Sequence, residues 1–191
     1  MKDVMKMGLI LMAFCLISAL ALSMTYGATI DVITESRAAA DVANRRQVME
    51  EAEEFEQIDA ALLEQFQRED PNIKDVHKAL RGGELLGHVV KVSSQGFGGP
   101  MEIIVGFDTD YEITGLRLGT HTETPGLGAN ASKPEFYNQF DGMTLTRDIV
   151  VDKVKAGNNQ VQAVTAATVT SAAVTSGVNR IGKILERLVN P

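Results

Sequence analysis

Residues 7–24 (MGLILMAFCLISALALSM) run for 18 positions without a charge, and this restricts what the chain can fold into more than any other feature. As a helix rising about 1.5 Å per residue the run reaches about 27 Å, close to the hydrocarbon thickness of a bilayer. A cleaved signal peptide is the rival reading, because Lys2 and Lys6 form a basic start and Ala19-Leu20-Ala21 has the small residues of a cleavage site. That triplet lies inside the apolar run, and the run exceeds a usual signal core, so the sequence predicts a retained span. Bulky Phe14 before Cys15 argues against lipidation there and leaves a helix-packing or lipid-facing thiol. Lys2 and Lys6 precede the span, whereas Asp31, Glu35 and Arg37 are the first charges after it. The positive-inside bias then predicts residues 1–6 in the cytoplasm of a single-pass cell-membrane protein, with the rest of the chain extracytoplasmic.

With 191 residues, there is room for this anchor and one ordinary domain. A net charge of -7 without a Lys/Arg cluster argues against a nucleic-acid partner. One cysteine and three scattered histidines provide neither a disulfide framework nor metal-ligand spacing, so a redox centre here has to be an organic cofactor.

Residues 34–70 lack Pro and Gly, and Val48, Ala52, Phe55, Ile58, Leu62 and Phe66 recur every three or four positions. This predicts one or two amphipathic helices ended by Asp70-Pro71, with Glu50, Glu51, Glu53, Glu54 and Glu56 on a solvated face. Beyond Gly82-Gly83, residues 86–92, 101–107, 112–120 and 149–154 read as strands, and Asp108-Thr109-Asp110 reads as a hairpin turn. The glycine-rich residues 95–100 (QGFGGP) lack phosphate-loop spacing and read as a close-packed hairpin loop. Val174, Val178, Ile181, Leu185 and Leu188 form the stripe of a last helix after Thr168, ended by Asn190-Pro191. The expected fold is α+β: a transmembrane helix over residues 7–24, a helical segment over 25–81, and a domain over 82–191 with a mainly antiparallel sheet covered by helices.

Two segments carry chemistry. Residues 121–128 (HTETPGLG) combine a carboxylate, hydroxyls and two glycines around a proline, which suits a planar ligand; His121 reads as a packing or hydrogen-bonding residue. Residues 164–171 (VTAATVTS) place four hydroxyls directly before the last helix, where free amides and the positive dipole end suit a phosphate, although plain N-capping by one hydroxyl is the simpler reading.

These segments, with residues 90–128, 133–140 and 161–171 around them, resemble the G-subunit family of Rnf-type ferredoxin:NAD oxidoreductases, and less closely the C-type component of the sodium-pumping NADH:quinone reductase. HTETPGLG is the most specific part of the match. The resemblance implies FMN attached as a phosphoester to Thr168, installed outside the membrane by a flavin transferase. It also implies Glu123, Thr124 and Leu127 against the flavin ring, and Thr165, Ala167, Val169 and Thr170 around the phosphate. Ala166 stands where that family usually has glycine, and Gln162 where an acidic residue often precedes the motif. The implied role is electron relay within a membrane complex containing A-, B-, C-, D- and E-type subunits, coupled to Na+ or H+ transport, with no metal and no complete active site on this chain. The alternatives are the C-type component of the quinone reductase and an anchored flavin-binding sensor or scaffold without electron flow.

Overall fold

The computed structural model describes residues 2–154 and 157–189. Its first element is one helix, α1 (Lys2–Val48), 47 residues long and more than twice the roughly 20 that a bilayer needs. The apolar window of α1 has no buried residue; Leu9, Leu11, Phe14, Ile17 and Leu20 are all more than half exposed. Leucines and isoleucines left bare along a helix match lipid as their surroundings, and α1 is long and apolar enough to cross a bilayer, which makes it the chain's candidate membrane span. Compact packing divides the chain into residues 1–40 and 41–191.

The second unit is built on a five-stranded antiparallel meander. Its strands are β1 (Glu54–Gln57), β2 (Ile73–Arg81), β3 (Glu84–Gln95), β4 (Pro100–Asp108) and β5 (Ile113–Leu118), each paired with the next. Between β1 and β2 runs α2 (Ala60–Glu69), whose N-cap Asp59 accepts from the backbone N–H of Ala61 at 2.8 Å. After β5 come a 3₁₀ turn (Gly128–Ser132) and the short α3 (Pro134–Tyr137). The strands β6 (Val150–Asp152) and β7 (Gln160–Gln162) pair in parallel as a separate ribbon. Next are α4 (Thr168–Gly182) and α5 (Leu185–Val189).

One sheet face carries the main core, where Val90, Val92, Ile103 and Val105 meet Ala173, Val174, Val178 and Ile181 of α4. Gly177 permits that contact, because a Cβ there would lie 2.4 Å from Ile103 Cδ1. The opposite face is smaller and is closed by Val48 and Met49 against Ala79, Val89 and Ile104. Cross-strand partners Gly106 and Gly115 leave the room, since Cβ atoms on them would strike the Val48 backbone at 2.4 and 2.9 Å. The Thr114 hydroxyl then donates to the Val48 carbonyl at 2.6 Å.

The fold is α+β as expected, and the 86–92, 101–107 and 112–120 strands form with slightly different ends. Four details differ. First, α1 continues without a break from the apolar run to Val48. Second, the expected helical segment over 25–81 contains β1 and β2, so the sheet domain begins well before residue 82. The acidic run Glu50–Glu56 accordingly lies in a turn and an edge strand; its glutamates are exposed, but not on a helix. The reason lies in β2, whose register slips between Ile73 and Asp75 and again between Ala79 and Leu80. The first slip puts Ile73 on the main-core face with Val76, and Ala79 is buried on the opposite face, so burial recurs at Ile73, Val76 and Ala79 and the alternation that marks a strand is lost. Third, the 149–154 strand joins β7 rather than the main sheet. Fourth, the last helix breaks after Gly182, where a Cβ would meet the Leu145 carbonyl oxygen at 2.7 Å; the stripe stays buried through α5. The expected Asn190-Pro191 end lies outside the described residues.

His88 on β3 is 2% exposed, stacks on Phe107 with centroids 5.8 Å apart, and leaves Nε2 without a partner among the described residues. Burial, with a smaller contribution from Lys78, lowers its pKa to about 4. Unfolded His88 takes a proton near the ordinary value of 6.5, whereas the folded side chain stays neutral until about 4. Stability is therefore retained above pH 6.5 and lost as pH falls toward 4, by up to about 3 kcal/mol at 1.36 kcal/mol per unit. His88→Phe should flatten that stretch of a melting-temperature profile against pH; an unchanged slope would remove His88 as its source.

Candidate functional site

Two tight turns form the site. In the first, the Leu127 N–H donates to the Thr124 carbonyl at 3.1 Å, with Pro125 and Gly126 between them and Gly126 at φ 78°. Proline second and glycine third suit a type II turn, so residues 124–127 adopt the geometry their sequence favours. In the second, the Ala167 N–H donates to the Val164 carbonyl at 3.0 Å, and the third residue, Ala166, has φ 61°. The same backbone is required here, but a methyl group stands where glycine belongs. The left-handed region costs an L-residue about 1–2 kcal/mol, against about 0.5–1 kcal/mol for the extra entropy glycine loses on folding. Ala166→Gly should therefore raise stability by up to about 1.5 kcal/mol, read as a higher melting temperature of the detergent-solubilised chain. A lower melting temperature would contradict this account of the turn.

The second turn opens α4. Its N-cap residue, Ala167, provides no side-chain cap, and the helix ladder starts only with the Ser171 N–H donating to the Ala167 carbonyl at 3.0 Å. The nearby hydroxyls are used differently. Ser171 donates to the Ala167 carbonyl and accepts from the Val164 N–H at 2.9 Å; Thr170, 1% exposed, donates to Glu123 Oε2 at 2.7 Å. Thr168 opens the helix on the cavity wall, and its hydroxyl has no partner among the described residues. Thus no hydroxyl here acts as the N-cap, and the first-turn amides are left for an anion.

The two segments meet at Glu123, which is 6% exposed. Its Oε1 accepts from the Gly98 N–H at 3.0 Å, while Oε2 accepts from Thr170. One carboxylate thereby joins the β3–β4 hairpin tip, the 121–128 loop and the first turn of α4. Gly128 fits beneath it because a Cβ would come within 2.1 Å of Glu123 Oε2 and 2.7 Å of Thr170 Oγ1. His121 has the expected hydrogen-bonding role: its Nδ1 accepts from the Glu123 N–H at 3.4 Å, and Nε2 lies 3.0 Å from Ser132 Oγ.

Around this junction is a cavity of about 350 Å³ lined by Phe97, Glu123, Thr124, Leu127, Gly128, Ala166, Ala167, Thr168, Val169 and Thr170. That volume is typical of a small-molecule site. Leu127 and Val169 are 44% and 56% exposed on its walls. Of the residues singled out in the sequence, Glu123, Thr124, Leu127, Ala167, Thr168, Val169 and Thr170 come together here, whereas Thr165 is not part of the wall. Both Glu123 oxygens are already engaged inside the protein, so its primary contacts hold the walls together. Sequence reasoning missed Phe97, Gly128 and Ala166 as wall residues. For Ala166 a signal existed, since it stands in a glycine position; for Phe97 none did, because a lone Phe in a hairpin loop carries no spacing to read.

Free amides at the start of α4 and exposed apolar side chains on the same cavity fit a phosphate and a flat ring respectively. Known proteins agree with that fit. The FMN-binding domain family matches residues 96–183, which include the hairpin tip, both turns and α4. The G subunit of the Na(+)-translocating ferredoxin:NAD(+) oxidoreductase complex of Acetobacterium woodii is 34% identical over 98% of this chain and 94% of its own. Its counterpart in the proton-translocating ferredoxin:NAD(+) oxidoreductase complex of Clostridium ljungdahlii is 31% identical over 86% of this chain and 82% of its own. Among solved structures, the C-type component of the Na(+)-translocating NADH-quinone reductase from Parabacteroides distasonis superposes with a TM-score of 0.52 at 28% identity. That match covers 60% of this chain and 62% of the other, under two thirds of its length. The chain therefore belongs to the G-subunit family of ion-translocating ferredoxin:NAD(+) oxidoreductase complexes and carries an FMN-binding domain.

Proposed function

We propose that this chain is the electron-transfer component of a membrane-bound ferredoxin:NAD oxidoreductase that couples electron flow to Na+ or H+ transport, with FMN joined as a phosphoester to Thr168. The observation that carries this reading is the uncapped start of α4, where Thr168 presents a free hydroxyl beside free amides on the cavity wall. FMN, when bound, supplies reversible single-electron transfer. The residues of this chain hold it: the amides of Thr168, Val169 and Thr170 face the phosphate, and Leu127 and Val169 shield the ring from water. Thr124 borders the ring, and Glu123 keeps the three walls in register. A covalent bond prevents loss of the cofactor from a domain outside the cell membrane. A dedicated flavin transferase makes that bond, and the A-, B-, C-, D- and E-type subunits supply and accept the electrons.

Near end-to-end similarity to the G-type relatives favours this reading over the quinone-reductase alternative, whose solved structure is matched over 62% of its chain. A C-terminal tag should be captured on intact spheroplasts, consistent with Lys2 and Lys6 on the cytoplasmic side. After solubilisation it should bring down a membrane assembly that reduces NAD with ferredoxin. A tag reached only after membrane rupture would reverse the topology. A chain recovered alone, carrying flavin but supporting no electron flow, would favour the sensor or scaffold.

A further inference from the structure

Phe97 is 76% exposed, the highest value of any large apolar side chain among the described residues and above those of the membrane helix. It is not on a loose loop. The hairpin tip closes through the Gly96 N–H donating to the Gly99 carbonyl at 2.9 Å. The tip lies flat on residues 122–123: Thr122 Oγ1 donates to the Gly98 carbonyl at 2.9 Å, and the Gly98 N–H donates to Glu123 at 3.0 Å. Glycines make this possible. A Cβ on Gly96 would lie 2.2 Å from Glu123 Oε1, and one on Gly98 would lie 2.2 Å from the Thr122 carbonyl oxygen. The tip is clamped, and its one large side chain is kept out of the core and on the wall of the cavity that Thr168 also lines.

A phenyl ring fixed in water forgoes burial that would otherwise favour the folded chain, and Phe97 does so beside exposed Leu127 and Val169 on one cavity wall, a shared apolar surface of the kind that takes a ligand. Leu127 and Val169, the other large exposed apolar residues of this cavity, are aliphatic. Phe97 alone among the lining residues offers a π face, which attracts a flat heteroaromatic ring by stacking. We propose that Phe97 is the stacking residue for the isoalloxazine ring, held in place by the glycine tip and Glu123, and that it limits access of water to that ring. This inference rests on the FMN reading of the cavity.

The chain contains no tryptophan, and its three tyrosines do not line the cavity, so Phe97→Trp would introduce a strong electron-transfer quencher of flavin fluorescence next to the proposed ring position. The full-length chain, coexpressed with a flavin transferase and purified in detergent, is compared with Phe97→Trp, Phe97→Leu and Leu85→Trp. Leu85 is 39% exposed and lies off the cavity wall, which makes it the control for a tryptophan elsewhere. Covalent flavin on denaturing gels should be equal in all four proteins. In the folded state Phe97→Trp should lose emission several-fold, with a lifetime shortened by the same factor, and recover on denaturation; Leu85→Trp should emit like the parent. Phe97→Leu should keep its emission but become several-fold more sensitive to quenching by iodide. Equal flavin with unchanged lifetime in Phe97→Trp would overturn stacking while the FMN reading stands, leaving Phe97 as a contact for another protein of the complex. No flavin on the denatured parent chain would overturn both.

Discussion

Thr168→Ala protein, coexpressed with a flavin transferase, is expected to fold normally and to carry no flavin after denaturation. Denaturation removes anything held by non-covalent contacts, so fluorescence of the band on a denaturing gel reports the bond alone. The variant should remain folded because the Thr168 hydroxyl has no partner among the described residues and does not cap α4; changes of that kind usually stay within about 0.5 kcal/mol. Competing hydroxyls differ in their surroundings. Ser171 is fully buried and bonded twice, Thr170 is 1% exposed and donates to Glu123, and Thr165 is off the cavity wall. Thr168→Ser, which keeps the hydroxyl, should retain partial labelling. Peptide mass spectrometry would locate the added flavin phosphate. Its discovery on Thr165 or Thr170 would move the site, and native membranes without covalent flavin would end the relay proposal.

Glu123→Ala should destabilise the domain and change the flavin without abolishing its attachment. The substitution leaves the buried Thr170 hydroxyl without its acceptor, at about 1–3 kcal/mol, and releases the exposed Gly98 N–H to water. For a domain of this size a loss of that order lowers the melting temperature by roughly 2–12 °C. Removing a negative charge beside an electron acceptor also makes reduction easier, so the flavin potential should shift positive. Covalent labelling should survive, because Thr168 stands on a different segment and needs neither carboxylate oxygen. Glu123→Gln keeps one acceptor and should restore part of the melting temperature while leaving the potential shifted. Wild-type stability and potential in Glu123→Ala would show that the carboxylate neither joins the walls nor acts on the ring.

Much of this protein is written in local pattern. The 18-residue apolar run announced a helix long and apolar enough to cross a bilayer, and the three hairpin strands from β3 to β5 announced themselves by short apolar runs between turn residues. Pro125-Gly126 specified its own turn, since both residues favour that backbone. Such features depend on neighbours a few positions apart, and sequence records those directly. β1 and β2 were not legible, because one register slip in β2 and burial on both of its faces replace alternation by a spacing of three, and because β1 exists only through its pairing with β2. Strand pairing between distant segments outweighed the helical periodicity of residues 52–58.

The chemistry divides in the same way. The sequence marked HTETPGLG and the hydroxyl cluster before α4 by their spacing, and the family resemblance then singled out Thr168 within that cluster. Only the tertiary structure decided that Glu123 has both oxygens engaged, that Thr165 stands apart while Phe97 joins the cavity, and that Ala166 holds a backbone made for glycine. Gly98 and Thr170 lie 25 and 47 residues from Glu123 along the chain, and the three meet because α4 packs against β3 and β4 beneath the hairpin tip. Long-range packing alone closes such distances, and no local pattern reports which side chain will be left exposed when it does.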